Sequence, residues 1–146
     1  MSKMVMVAVA VSMMISLGNV TGSTQEKELM TDIVALEGLY IYGYEGYLSV
    51  ASVIMNRVES DRFPDTITKV ISQPVQFSTF GSRREPYITV DTVRAVNAAL
   101  SGARNVPSDV LFFCTREAYE KSRFFQSLGV YSEEHGHMFF RYKKGD

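Results

Sequence analysis

The sharpest candidate for chemistry in this sequence is a single carboxyl, that of Glu37. It falls at i+4 from Ile33 and i+3 from Val34, in register with an apolar stripe of Met30, Ile33 and Val34. Residues at these spacings share one face of a helix. A carboxylate on an inward face is expensive to ionise unless partners compensate it. A carboxyl that keeps its proton can donate it to a leaving group as a general acid. The alternative is a glutamate at a helix end that reaches out to solvent.

Four other groups have side chains with chemical uses. Asn56-Arg57 closes an apolar helix. Arg57 could grip a carboxylate with two parallel hydrogen bonds, and Asn56 could bond a turn or a sugar. The plainer reading is a cation complementing the helix dipole. Gln73 and Gln76-Phe77-Ser78 lie on a loop, and an aromatic face with amide and hydroxyl groups suits a sugar. His135-x-His137 offers two imidazoles on one face of a strand, too few for a recognisable metal site, so no metal or other cofactor is expected. Cys114 ends the apolar run VLFFC. Burial there disfavours the thiolate that a cysteine nucleophile needs. There is no G-x-S-x-G elbow for serine chemistry.

The elements that must hold these groups are legible from pattern. Ser23 through Glu26 fits a capping box, which predicts a helix to about Leu36–Leu39. GLYIYGYEG, residues 38–46, reads as a glycine-rich turn with aromatic lining. A second helix is predicted from about Glu45 or Gly46 to Val58. Its apolar residues cover most of its circumference, interrupted by a narrow stripe of Ser49, Ser52 and Asn56. Such a helix is buried on nearly all sides. Phe63-Pro64 ends it. Asp65 or Thr66 can cap a short helix, and Thr89 or Asp91 a longer one with Val93, Val96 and Leu100 inward. VLFFC reads as a strand, Thr115 caps a helix to about Ser127, and VYSEE and MFFRY flank a hairpin turn. The fold class is α+β, mostly helical, with a small antiparallel sheet from the C-terminal third.

Composition excludes several functions. The chain has 146 residues, 46% of them hydrophobic, and a formal charge of −1. That is one globular domain, without the basic clusters that bind nucleic acid. One cysteine rules out an internal disulfide framework. Residues 1–22 have a lysine, an apolar run from Met4 to Leu17 and then small residues. This is the layout of a secretory signal, too short in its apolar part for an ordinary membrane span. Residues 1–22 are therefore expected to be a signal peptide, with an N-terminal anchor as the alternative, and residues 23–146 the functional domain outside the cytoplasm. No stable span is expected after cleavage.

Glu37-Gly38, EGYLSVASVIMNRVESDRFPDTITKVISQPVQFSTF, VDTVRAVNAALSG, LFF and GHMFF occur in this order. Together they resemble the SleB/CwlJ-type cell-wall hydrolases, the family of spore-cortex-lytic enzymes, over about residues 29–142. The resemblance implies a lysozyme- or lytic-transglycosylase-like fold and a peptidoglycan glycan strand as partner, cut between N-acetylmuramic acid and N-acetylglucosamine. It maps the family's catalytic glutamate to Glu37. It leads us to expect substrate contacts from Tyr47, Gln76, Phe77, Ser78 and His137, with Asn56 and Arg57 supporting the cleft by tying their helix to the 76–78 loop. A second acid that many relatives carry falls at Ile41, and Tyr47 stands where relatives often have Gln or Lys. A transglycosylase needs no second acid; a hydrolase would. With no separate wall-binding domain in the sequence, a targeting partner protein is a further expectation. A glycan-binding protein without catalysis is the alternative.

Overall fold

The structure of the protein, a computed structural model, describes residues 23–73, 77, 81 and 83–146. The expected signal segment lies outside these residues, as do Gln76 and Ser78. Helices α1 (Thr24–Glu37), α2 (Gly43–Glu59), α3 (Ile67–Ile71) and α4 (Val90–Leu100) form one layer of the domain. A 3₁₀ turn, Tyr40–Tyr42, joins α1 to α2. The C-terminal part holds β1 (Phe112–Cys114), α5 (Arg116–Lys121), α6 (Arg123–Ser127), β2 (Gly129–Glu134) and β3 (His137–Arg141). The strands make an antiparallel sheet in the order β1-β3-β2. Among the described residues, no helix is long and apolar enough to cross a membrane.

Helix α2 is the axis of the domain. Every residue from Gly46 to Arg57 is buried, as the apolar circumference predicts. It begins at Gly43, earlier than expected, because the 3₁₀ turn runs straight into it. The small-polar stripe meets the segment before β1. Asn105 Nδ2 donates to the Glu45 carbonyl at 2.9 Å and to Ser49 Oγ at 3.0 Å, and the Asn105 backbone N–H donates to Ser52 Oγ at 3.3 Å. Asn56 Nδ2 donates to the carbonyls of Pro107 at 2.8 Å and Val110 at 3.1 Å. Arg57 Nε donates to the Leu111 carbonyl at 2.7 Å. Among the described residues, the end of α2 is thus tied to residues 107–111; Gln76 and Ser78, the rest of the expected tie to the 76–78 loop, lie outside them. The link to that loop is the face of Phe77, whose ring centre lies 5.1 Å from the Arg57 guanidinium. The rings of Phe63 and Phe112 complete the cage at 4.9 and 5.3 Å. Burial pulls Arg57 down to about 10, so it is still a cation at neutral pH.

The sheet divides its side chains by the two-residue period. Phe112, Cys114, Met138 and Phe140 pack with Leu128 and the rings of α5 and α6. Phe113 and Phe139 face α2 and pack with Val53. Cys114 is buried, and burial pushes its thiol up to about 11, so it is neutral at physiological pH.

Three expectations need correction. The helix read from Thr115 to Ser127 is two helices, because Ser122 is extended and caps α6 by accepting from Phe125 N–H. The break turns Phe124 and Phe125 toward the rings of Phe112 and Phe140. Val93 is exposed. Thr92, Ala95, Val96 and Ala99 face inward instead, since the small alanines let α4 approach α2 closely. Ser23 does cap α1, but the Glu26 carboxylate does not close the box. It accepts from Thr68 N–H at 2.9 Å and so caps α3.

Replacing Asn56 by Ala leaves two buried carbonyls and Arg104 Nε, which donates to Asn56 Oδ1 at 3.1 Å, without that partner. Asn56→Ala should cost about 1–3 kcal/mol in urea unfolding, and Arg57→Met a similar or larger amount, because its lost hydrogen bond is charge-assisted.

Candidate active site

Glu37 is the last residue of α1, and it is half-buried. The helix face brings it to the edge of the core; it does not sink into the core as the stripe suggests. Three pieces of chain converge there: the end of α1, the Leu39–Tyr42 turn and the tip of the β2–β3 hairpin.

Gly38 explains why the helix stops where it does. A Cβ on this residue would stand 2.6 Å from Tyr47 Cδ1 and 2.9 Å from the Val34 carbonyl oxygen. Only glycine lets the Tyr47 ring lie against the backbone directly after Glu37. Gly38 N–H bonds the Val34 carbonyl at 2.9 Å and closes the last turn. Arg84 Nη2 donates to the Leu36 carbonyl at 3.3 Å. The Leu36 carbonyl, which the helix cannot satisfy by itself, is therefore met from elsewhere in the fold.

The hairpin supplies the third piece. His135 and Gly136 both have positive φ, 55° and 80°, the two-residue turn that suits the strand twist. A Cβ on Gly136 would meet Leu39 Cδ1 at 2.7 Å and the Tyr42 ring at 3.0 Å. The Tyr42 and His135 rings pack edge-on at 5.9 Å. His137 begins β3, with its ring edge-on to Phe113 at 5.1 Å. The backbone carbonyls of His135 and Glu37 favour its protonated form. Burial, the largest influence, holds its pKa below the usual 6.5, and the two carbonyls oppose this.

Tyr47, Phe77 and His137 were expected to touch substrate. They are 1%, 4% and 5% exposed. A ring with no open face cannot stack on a sugar: the Tyr47 ring is packed on Gly38, the Phe77 ring lies over Arg57, and the His137 ring lies against Phe113. The rings that do face out are those following Glu37: Tyr40 is 69% and its neighbour Ile41 66% exposed. GLYIYGYEG advertises aromatic lining, but which tyrosines point outward depends on the 3₁₀ turn, and no periodicity reports that. Arg84 was passed over because its partner is a backbone carbonyl remote in sequence.

A mostly helical domain with a three-stranded sheet, carrying a carboxyl at a helix end, is the class of fold that these elements define. The family model for Cell Wall Hydrolase matches residues 42–141, more than half the chain, and this chain belongs to that family. The match begins just after Glu37. The catalytic domain of Bacillus cereus SleB superposes with a TM-score of 0.70 at 25% identity, over 82% of this chain and 91% of that one. The catalytic domain of the germination-specific lytic transglycosylase SleB from Bacillus anthracis gives 0.68 at 24% identity, over 82% and 98%. A spore cortex-lytic enzyme from Halalkalibacterium halodurans is 41% identical over 61 residues, 40% of this chain and 18% of that protein. The chain thus matches less than a fifth of that relative's length.

Two outcomes follow from the geometry. Gly38→Ala should cost about 1–3 kcal/mol by overpacking, and much of this should return in Gly38→Ala/Tyr47→Leu, a coupling that a double-mutant cycle reads directly. Protonating His137 opposes folding. The stability that it contributes is full above its unfolded pKa, near 6.5, and is lost as pH falls through the lower folded-state value. The stability advantage of wild type over His137→Gln should therefore shrink on going from neutral pH toward about pH 5, as measured by chemical unfolding at each pH.

Proposed function

We propose that this protein cuts peptidoglycan glycan strands at the linkage between N-acetylmuramic acid and N-acetylglucosamine, with Glu37 as acid and then base. The observation that carries the reading is the packing of the hairpin tip on Leu39 and Tyr42, in the turn directly after Glu37, a half-buried glutamate that ends α1. Membership of the cell wall hydrolase family supports it, as does the likeness to SleB catalytic domains. Glu37 gives its proton to the glycosidic oxygen as the bond to the anomeric carbon breaks. The ionised Glu37 then takes the proton of the muramic 6-hydroxyl, which attacks the anomeric carbon and leaves a 1,6-anhydro end. This lytic transglycosylase route needs one carboxyl only. It fits the placement of Glu45, the next acid along the chain, which sits in the first turn of α2 with its Oε2 accepting from Asn105 Nδ2 at 3.0 Å. A hydrolase would use a second carboxylate to stabilise the cation or activate water.

The exposed Tyr40 and Ile41 provide the apolar surface on which sugar rings lie, and Gln76 and Ser78 read hydroxyls. Asn56 and Arg57 hold the scaffold. Residues 1–22 direct export, so the protein works in the cell wall or spore envelope, where a partner protein can supply targeting.

Glu37→Gln, an isosteric change that removes the acid, should fold normally and lower the release of muropeptides from purified sacculi by about 10²–10⁴-fold. Wild-type turnover by this variant would refute the assignment and favour glycan binding without catalysis. Product masses carrying anhydro ends support the transglycosylase, and reducing ends the hydrolase. Parallel digestion of cortex and vegetative wall shows which is the substrate.

A further inference from the structure

We propose that Tyr87 is a sugar-stacking residue: the segment 84–91 runs beside the segment 36–43, and the Tyr87 and Tyr40 rings together carry the glycan strand past Glu37. The proposal deepens the reading of a glycan-cleaving enzyme and rests on it. It starts from exposure. Tyr87 is 74% exposed, and it and Tyr40 are the two most exposed aromatic rings among the described residues. They are far apart in sequence, so only the fold can bring them together.

Two ties join their segments. At one end, Arg84 Nη2 donates to the carbonyl of Leu36, the residue before Glu37. At the other, a Cβ built on Gly43 falls 3.5 Å from Asp91 Oδ2, and the Arg94 guanidinium lies over the Tyr44 ring at 5.0 Å. Residues 84–91 are therefore held alongside residues 36–43. The core lies beneath both segments, where Val34, Tyr47, Thr92 and Ala95 are buried. The side chains left exposed stand on one outer strip: Tyr40 and Ile41 from one segment, Tyr87, Ile88 and Val90 from the other. The backbone under Tyr87 is stiff. Pro86 fixes φ directly before it, and Thr89 is extended and caps α4 by accepting from Thr92 N–H at 3.2 Å. A ring presented in this way has little freedom to lose on binding.

Apolar side chains grouped on a surface mark a place of contact. Three features make the occupant a glycan and not a protein. The strip is a handful of side chains, whereas a stable protein interface uses about 20–30 residues a side. Its rings are tyrosines, flat apolar faces that end in a hydroxyl, and these suit a sugar ring with its own hydroxyls. The strip also begins at the end of α1, where a strand being cut at Glu37 must pass.

The test measures co-sedimentation with purified sacculi, using the full chain carrying Glu37→Gln, alone and with Tyr87→Ala or Tyr87→Phe added. Tyr87→Ala should weaken binding about 5–30-fold, and Tyr87→Phe, which keeps the ring, should retain most of the affinity. Because the side chain is exposed, the urea midpoint should not move. In the chain with Glu37 intact, Tyr87→Ala should raise KM for sacculi by a similar factor with the loss absent from kcat, the mark of binding shared by ground and transition states. Unchanged affinity in Tyr87→Ala, an equal loss in Tyr87→Phe, or a loss confined to kcat overturns the proposal. So does a wild-type dimer that Tyr87→Ala converts to a monomer with undiminished sacculus binding, which would give the strip to a second copy of the chain. Undiminished binding by Tyr87→Ala beside an inactive Glu37→Gln removes the Tyr87 assignment alone, whereas wild-type turnover by Glu37→Gln removes the reading of Glu37.

Discussion

A helix with no solvent face must find a partner inside the protein for every polar group it carries. Helix α2 is such a helix, and most of the fold follows from how that demand is met. Its apolar sides take α1, α3 and α4 on one side and the sheet on the other. Its polar stripe takes the carbonyls and the amide of residues 105–111. Because that segment leads directly into β1, satisfying α2 also fixes where the sheet starts. Arg57 is the most demanding member. A buried cation is tolerable here because a carbonyl at 2.7 Å and three aromatic rings surround it.

The sheet in turn fixes the Glu37 edge. Once β1 is placed, antiparallel pairing places β3, and the two-residue turn places the hairpin tip against Leu39 and Tyr42. Glu37 is thereby held from two directions: by α1, through the core, and by the hairpin, through the loop that follows it. This arrangement leaves Glu37 half-buried, which a helix stripe alone could not convey. The turn that follows leaves Tyr40 and Ile41 exposed.

Several parts of the candidate site were legible as residue types but not as roles. Tyr47 stands in an aromatic loop and invites a sugar contact, yet the ring is consumed by packing on Gly38. Phe77 likewise closes over Arg57. The His135-x-His137 pair shares a strand face in sequence terms, but His135 belongs to the turn, with positive φ, and only His137 enters the sheet. In each case the deciding contact comes from a residue distant along the chain.

The sequence by itself determined the main helices and the caps at Ser23, Thr89 and Thr115, the all-round burial of α2, the hairpin and the prominence of Glu37. Those features rest on local period and on side chains within a few residues of the backbone groups they satisfy. Only the tertiary structure decided that Glu26 caps α3, that Asn56 serves residues 107–110, and that the hairpin reaches the end of α1. Those choices depend on which backbone groups a neighbouring element leaves unsatisfied, and that is known only once the elements have packed.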